Sequence, residues 1–218
     1  ENSLVSTKDD CAGLQNNSSI SGSLVIDGNG KLNAVGGAYG AGIGGGGTRN
    51  GNVTIYAGEV IATGGMQAAG IGGGFYGSGT VIIIAGKVTA TGGSHGAGIG
   101  GGHGKAGTVK IESGEIIATG GDQAAGIGGG GQGAGTVTVD GGTITASSSG
   151  GGSAIGAGRG SSPPADSVKI NGGSVKAQSF NPDPVDDQSN PLALYVADGT
   201  DFNSANGVEV DTADFGIS

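Results

Sequence analysis

The sequence has few of the residues from which most metal centres and disulfide frameworks are built. Its 218 residues include no tryptophan, one cysteine and two histidines. A single cysteine excludes an internal disulfide. Two histidines, His95 and His103, fall short of the ligand clusters that hold structural zinc. We therefore expect no metal site and no cofactor.

Positive charge and long apolar runs are also scarce. Nine Lys and Arg stand against 18 Asp and Glu, so the net charge is −9. That balance argues against binding to nucleic acid or to an anionic membrane surface. No apolar run approaches the roughly 18 residues of a membrane-spanning helix, so we expect no membrane insertion. No secretion leader is visible, which suggests a mature or excised form.

Glycine is what the sequence has in excess, with 55 residues, and it recurs in the phrase Ala-Gly-Ile-Gly-Gly-Gly. The isoleucine of this phrase returns every 28 residues, at Ile43, Ile71, Ile99, Ile127 and Ile155. A fixed period between 20 and 50 residues predicts a stack of repeated units. Helical repeats are excluded, because each glycine costs about 1 kcal/mol in a helix relative to alanine.

One period, residues 72–99, contains three short extended segments. They are residues 81–83, 88–91 and 97–99, and glycines separate them. Three brief strands joined at glycine corners form one coil of a parallel β-helix. The predicted fold class is therefore all-β: a single-stranded parallel β-helix, or solenoid, with about six 28-residue coils and a C-terminal cap.

Strand alternation assigns the faces of these segments, because side chains point to opposite sides at successive residues. The predicted inward columns keep one size class from coil to coil, as stacked interiors require. In three successive coils they are Val53, Ile55, Val60, Ala62, Ala69 and Ile71; Val81, Ile83, Val88, Ala90, Ala97 and Ile99; and Val109, Ile111, Ile116, Ala118, Ala125 and Ile127. Outside, Glu59, Lys87 and Glu115 share a column whose alternating charge favours this register.

Changes in composition divide the chain into three predicted parts. Residues 1–10 form a polar lead-in, residues 11–180 the repeat domain, and residues 181–218 an acidic, proline-containing cap or the start of a following module. Leu14 precedes Ile43 by 29 residues, and the additional residue is expected within residues 27–30. Residues 192–196 and 208–210 are candidate strands of the acidic tail.

Cys11 lies next to the predicted N-terminal end of the stack. We expect a half-buried thiol in a capping coil. Cys11 and Gln15 are also the residue types of an internal thioester, but no surrounding motif supports that chemistry.

The turns beside the glycine runs carry the candidate binding residues. One column holds Tyr39, Gln67, His95 and Gln123, and the next turn holds Arg49, Phe75, Tyr76 and His103, with Lys105, Gln132 and Arg159 nearby. Flat rings stack on the apolar faces of sugars while amides take the hydroxyls, so this set predicts a glycan site. The alternative is ordinary variation between loops.

A second outward feature is the column formed by Thr63, Thr91 and Thr119 on the second strand. Regular threonine ladders on a β-helix resemble the ice-binding faces of antifreeze proteins. The alternative is the general preference of threonine for exposed strands, and Ile61 and Ile117 interrupt the neighbouring column.

The repeated phrases at residues 62–65, 69–74, 79–81 and 141–146 look like the glycine-rich repeats of large adhesin-like surface proteins of Gram-positive, often gut, bacteria. The resemblance implies a non-enzymatic adhesin or stalk module, located extracellularly at the cell surface or cell wall. It also implies neighbouring modules in a larger protein, and a polysaccharide or host glycan as partner. It supplies no functional residues of its own.

The β-helix is also the fold of polysaccharide lyases, which is an alternative based on fold alone. Such enzymes need clustered carboxylates with a base, and the repeat region offers no such cluster. We therefore expect no catalytic residues.

Overall fold

Three short strands recur in every coil and stack into three parallel sheets. The computed structural model describes residues 2–16, 22–161 and 167–181 and the backbone of residues 209–211. We call the sheets I, II and III. Each complete coil runs from a strand of sheet III through one of sheet I to one of sheet II.

Within the described residues, sheet I contains β1 (Asn2–Val5), β4 (Lys31–Val35), β7 (Glu59–Thr63), β10 (Lys87–Thr91), β13 (Glu115–Gly120), β16 (Thr143–Ser148), β19 (Ser174–Ala177) and β21 (Glu209–Asp211). Sheet II contains β2 (Leu14–Gln15), β5 (Ile43–Gly44), β8 (Ile71–Gly72), β11 (Ile99–Gly100), β14 (Ile127–Gly128), β17 (Ile155–Gly156) and β20 (Phe180–Asn181). Sheet III contains β3 (Leu24–Ile26), β6 (Gly51–Ile55), β9 (Gly79–Ile83), β12 (Gly107–Ile111), β15 (Gly135–Val139) and β18 (Ser167–Ile170).

The strands define six complete coils, and we number them by their strands: coil 1 is β3–β5 and coil 6 is β18–β20. All the strand pairs are parallel, and the pairing follows the sequence period. Ile71 lies beside Ile43 and Ile99 in sheet II, and Val81 beside Val53 and Val109 in sheet III. The structure therefore confirms the predicted all-β parallel solenoid of about six turns.

The predicted inward side chains are buried without exception, each at 2% exposure or less. Most of them belong to one continuous apolar cluster along the axis. Ala69, Ala97 and Ala125 are buried outside that cluster. A fully buried Val or Ile contributes roughly 1.5–3 kcal/mol, so stacking stabilises coils that could not fold alone.

The strand pairing departs from the 28-residue period at two places, and the first of them lies where the sequence predicts it. Leu24 pairs with Val53, a step of 29 residues, whereas Lys31 pairs with Glu59, a step of 28. The additional residue therefore lies between β3 and β4, within residues 27–30. Val168 pairs with Val137 across a longer step, so the insertion before β18 leaves the register of the interior intact.

Glycine is required at two kinds of position. Gly86 turns the corner between β9 and β10 with φ +105°, in the left-handed region that side chains disfavour. Gly79 has no such φ, but a Cβ there would lie 1.8 Å from the carbonyl oxygen of Gly100, which ends the sheet II strand of the same coil. Close backbone approach between the first residue of a sheet III strand and the last residue of the sheet II strand therefore fixes glycine at the start of the sheet III strands.

The outward charge column on sheet I forms ion pairs between neighbouring coils. Lys87 Nζ lies 2.9 Å from Glu115 Oε1, and Lys31 Nζ lies 3.3 Å from Glu59 Oε1. The hydrogen bond and charge of Glu115 raise the pKa of Lys87. All four side chains are substantially exposed, so the column favours one register more than it adds stability.

The N-terminal end of the stack begins earlier than the sequence predicts. β1 lies within the segment expected to be a polar lead-in, and Leu4 pairs with Ala34 of the interior column. The repeat phrase is missing here, which is why the period does not reveal this strand. The interior opens beside it as a pocket of about 280 Å³, lined in part by Leu14, Ile26 and Leu32.

Most of the predicted C-terminal cap or following module, residues 181–218, lies outside the described residues. Phe180 and Asn181 take the sheet II position beside Ile155 and Gly156, and Phe180 packs on the interior cluster. Glu209–Asp211 extends sheet I in parallel with β19 and overlaps the candidate strand at residues 208–210. The candidate strand at residues 192–196 lies outside the described residues.

Within the described part of the chain, no helix is long and apolar enough to cross a membrane.

Candidate functional site

The candidate binding residues lie on the edge formed by sheet II. Its strands are only two residues long, and each is flanked by a turn before it and a turn after it, which we call the leading and trailing turns. In coil 2 the leading turn is 64–69 and the trailing turn is 73–78. Glycine dominates both turns, so only a few side chains project from a backbone that is otherwise uncovered.

Backbone hydrogen bonds connect the two kinds of turn between coils. The N–H of Phe75 donates to the carbonyl of Tyr39 at 2.9 Å, and the N–H of His103 donates to that of Gln67 at 3.0 Å. The same bond recurs from Gly131 to His95. Each trailing turn is therefore fixed beside the leading turn of the preceding coil, which brings the two predicted columns together.

Five rings from coils 1 to 3 form a continuous group that we call the ring cluster: Tyr39, Phe75, Tyr76, His95 and His103. The ring centroids of Tyr39 and Phe75 are 5.4 Å apart, and those of Phe75 and Tyr76 are 4.1 Å apart. His103 lies 5.5 Å from Tyr76 and 4.8 Å from His95. The 28-residue period thus brings together rings that are up to 64 positions apart in sequence.

The backbone of Tyr76 is unusual, because its φ of 54° lies in the left-handed region. Gln132, at the same position two coils further on, has the same conformation, with φ 65°. Gly104 and Gly160 occupy this position in the intervening and the following coil, and they adopt the conformation easily because they have no side chain. A non-glycine residue in this conformation is uncommon. Its side chain leaves the turn in a fixed direction, and Tyr76 is 47% exposed.

Three polar atoms in the same region are buried without a hydrogen-bond partner in the protein. They are Gln67 Oε1, His95 Nδ1 and His103 Nδ1. Buried polar atoms are nearly always satisfied by protein, water or a bound group. Burial, with a further contribution from His95, lowers the pKa of His103, which keeps its imidazole neutral at pH 7. The region therefore holds buried acceptors that the protein itself leaves unsatisfied.

The other predicted residues lie at the margins of the ring cluster. Gln123 is next to Gly131, where a Cβ would lie 3.1 Å from Gln123 Cβ and 3.6 Å from His103 Cδ2. Arg49 is exposed and lines an open pocket of about 350 Å³ at the N-terminal end of the edge, together with Cys11 and Gln15. Arg49 thus lies on the same edge as the ring cluster, at its margin.

Cys11 is half-buried beside that pocket, as the sequence predicts. Gln15 Oε1 accepts a hydrogen bond from the N–H of Ala12 at 3.2 Å. This contact orients the Gln15 amide within the first turn of the stack.

The threonine column lies on another face, on sheet I. Thr63, Thr91 and Thr119 are register neighbours, and Ser147 Oγ donates to Thr119 Oγ1 at 3.3 Å. The neighbouring column alternates between Ile61, Thr89 and Ile117, as the sequence predicts. The column is regular, but its apolar neighbours leave it one residue wide over much of its length.

Within the ranges that the structure describes, no three His, Cys, Asp or Glu side chains come together as metal ligands would.

Two exposed cations on this edge, Lys105 and Arg159, were not assigned to the site from the sequence. Arg159 occupies the trailing turn of coil 5, and its N–H donates to the carbonyl of Gln123 at 2.8 Å. Its side chain lies over Gly151, since a Cβ there would be 2.7 Å from Arg159 Cδ. Gly151 continues the column of Gln123, so Arg159 reaches the same edge. The signal in the sequence was that Lys105 and Arg159 lie in the trailing turns of alternate coils, although their residue numbers do not differ by a multiple of 28.

Comparison with known proteins supports the repeat architecture. A family model described as "Beta helix repeat" matches residues 24–47, 53–75, 81–103 and 109–131. Each matched segment begins on a strand of sheet III and ends in a trailing turn. No curated protein and no solved structure matches the chain. The four matched segments, and the coils that they form, make residues 24–131 a β-helix repeat region.

Proposed function

We propose that this structural repeat module is a non-enzymatic adhesin or stalk module of a larger surface protein, and that it binds a polymeric glycan along the sheet II edge. The observation that carries the proposal is the ring cluster. Its five rings stand in contact on a surface where most other positions are glycine. Extracellular location at the cell surface or cell wall is part of the proposal.

The chemistry of the edge suits a sugar. The flat faces of Phe75 and the half-exposed Tyr76 provide an apolar surface on which a sugar ring can stack. The half-buried side chains of Gln67, His95 and His103 carry amide and imidazole groups, which form hydrogen bonds with hydroxyls such as those of sugars. An apolar platform combined with a few polar atoms is the usual composition of a ligand site.

A polymer suits the edge better than a single sugar. The ring cluster extends over three coils, which at about 4.8 Å per coil is longer than one monosaccharide. The rings stand on partly exposed turns, so each contact with a sugar is weak. Several weak contacts on one repeating chain act together through their high effective concentration.

The test is binding of the whole domain to a broad glycan array, followed by two variants. Phe75→Ala with Tyr76→Ala should abolish retention on the glycan that binds, without changing the melting curve. Tyr56→Ala is the matched control, because Tyr56 is as exposed as Tyr76 (49% and 47%) but lies outside the ring cluster. If no glycan binds, the module is a spacer. If the control weakens binding equally, the site is elsewhere.

A second candidate function is ice binding by the Thr63, Thr91 and Thr119 column. The in-register stacking of these threonines on a parallel sheet favours it. Thermal hysteresis of the purified domain tests this directly, and Thr91→Ala should reduce the effect. A solution that freezes at its ordinary temperature rejects the candidate.

A further inference from the structure

The charged residues of the sheet II edge are distributed differently from those of the rest of the molecule. Asp and Glu outnumber Lys and Arg by 18 to 9 over the whole chain. In the turns of coils 1 to 5 (residues 36–50, 64–78, 92–106, 120–134 and 148–161) the order is reversed. The cations are Arg49, Lys105 and Arg159, and Asp122 is the one carboxylate. Lys8, Asp9 and Asp10 precede them in the turn before β2.

These three cations are available to a ligand. All three are exposed, and none forms an ion pair with another residue in the described part of the chain. In contrast, Lys87 and Lys110, on sheets I and III, are held by carboxylates. Asp10 lines the pocket beside Arg49, and Asp122 lies close to Arg159, since the N–H of Gly151, the residue beneath the Arg159 side chain, donates to the Asp122 carbonyl.

The cations recur at every second coil. Arg49 follows β5, Lys105 follows β11 and Arg159 follows β17, while the trailing turns between them carry uncharged side chains. Two coils correspond to a rise of about 9.6 Å. That distance is comparable to the length of one disaccharide in an extended polysaccharide. The uncharged turn after β8 holds Phe75 and Tyr76, which suit a neutral sugar ring.

We propose that the edge recognises an acidic polysaccharide that carries one carboxylate per disaccharide and lies parallel to the solenoid axis. This inference rests on the proposed glycan-binding function and names its ligand class. The carboxylates pair with Arg49, Lys105 and Arg159 at alternate coils. The intervening neutral sugars lie over the uncharged turns, where the rings and amides contact them.

The experiment compares one polymer in two charge states. The probes are hyaluronan, in which uronate alternates with a neutral amino sugar, and the same hyaluronan after reduction of its carboxylates to alcohols. Binding of the whole domain is measured by titration calorimetry and by surface retention at two salt concentrations. We expect the acidic form to bind at least about tenfold more tightly than the reduced form, with affinity falling as salt rises.

Charge-removing variants locate the contact. Arg49→Gln, Lys105→Gln and Arg159→Gln should each weaken binding of the acidic polymer about two- to fivefold, as expected for exposed charge pairs. None should affect the reduced polymer. Lys110→Gln is the matched control, because Lys110 is exposed but lies on sheet III, and it should leave binding unchanged.

Three outcomes would overturn the inference. If both forms of the polymer bind equally, glycan binding stands but the carboxylate has no role. If Lys110→Gln weakens binding as much as Lys105→Gln, or if single-stranded DNA binds as tightly as hyaluronan, the attraction is non-specific. If neither polymer binds but the glycan array identifies a neutral glycan, the proposed ligand class is wrong and glycan binding stands. If the array also shows no binding, both the ligand class and the proposed glycan-binding function are wrong.

Discussion

The ring of Tyr76 lies against Gly104, the residue at the same position in the next coil. A Cβ on Gly104 would lie 2.9 Å from Cε1 of Tyr76 and 3.1 Å from its Cδ1. The glycine therefore does more than accept a φ of +72°. It leaves the space in which the tyrosine ring lies, so one coil shapes the candidate binding surface of its neighbour.

This relationship predicts a difference between two glycine substitutions. Gly104→Ala and Gly160→Ala both place a side chain in the left-handed region, with φ of +72° and +76°, and should cost a similar 1–2 kcal/mol or so. Only Gly104→Ala displaces the Tyr76 ring, because at Gly160 the nearest atom is Gln132 Cγ at 3.7 Å. The near-UV circular dichroism of tyrosine should change in Gly104→Ala alone. Equal spectra would show that the ring does not depend on this glycine.

The interior column of Ala62, Ala90 and Ala118 should not accept larger side chains. Ala90 is 1% exposed and lies between the other two alanines. Ala90→Leu should therefore lower the free energy of unfolding by about 1–3 kcal/mol through overpacking. The neighbouring Thr91→Ala on the outer face should change it by no more than about 0.5 kcal/mol. Urea denaturation compares the two, and similar midpoints would contradict the assignment of faces.

Close backbone contact between the sheet II and sheet III strands of one coil should make Gly79 far less tolerant of a side chain than Gly30. A methyl group at Gly79 would lie 1.8 Å from the Gly100 carbonyl oxygen, whereas none of the surrounding atoms comes within 4 Å of one at Gly30. We expect Gly79→Ala to cost about 3 kcal/mol or more, at the upper end of single substitutions. Gly30→Ala should be close to neutral. Thermal melts of both variants measure the difference, and a stable Gly79→Ala protein would mean that these two strands of the coil can move apart without loss of stability.

Stability should fall in mildly acidic solution because of His103. Burial, followed by the effect of His95, lowers the folded-state pKa of His103 below its ordinary value of 6.5. Between these two pKa values the unfolded chain holds the proton and the folded chain does not, so stability decreases as the pH falls through that window. Urea midpoints should therefore begin to drop as the pH falls past the unfolded-state pKa of about 6.5 and continue to drop until His103 is protonated in the folded chain. His103→Asn should show a smaller drop, and an unchanged slope would place the effect on another group.

Removal of the acidic tail should expose the C-terminal edge of sheet I. Glu209–Asp211 pairs with β19, so a chain that ends at Asn181 leaves the backbone groups of Ser174–Ala177 open. Open parallel edges promote association between chains. Light scattering over a range of concentrations should show association of the truncated chain but not of the full one. A truncated chain that stays monomeric would indicate that β21 is not needed to keep the edge of sheet I from pairing with another chain.

The fold was predictable because one period controls every level of the structure. The interval between Ile71 and Ile99 fixes the coil length, and strand alternation then decides which side chains are buried. Even the shift at residues 27–30 follows from the position of Leu14 relative to Ile43. The ends were harder to predict, because β1 and β21 join sheet I through backbone pairing without the repeat phrase.

The position of the candidate site on the solenoid was predictable from the sequence, but its backbone and side-chain geometry was not. The period places Tyr39, Phe75 and His103 on one edge, and the structure brings their rings together. The left-handed backbone of Tyr76 depends on a local turn that composition does not reveal, since glycine occupies the same place in the next coil. The unpartnered atoms of His95 and His103 depend on side-chain burial, which follows from packing between turns.

The arrangement of the strands has a mechanical consequence. β1 and β21 occupy opposite ends of sheet I, so a pull on these two strands runs along the axis and loads the coils in series. The backbone hydrogen bonds between coils point along the same axis and would open one row at a time. Each coil that detaches exchanges a rise of about 4.8 Å for roughly 90–100 Å of extended chain. Under force, the solenoid would lengthen in steps of one coil, and each step would absorb mechanical work.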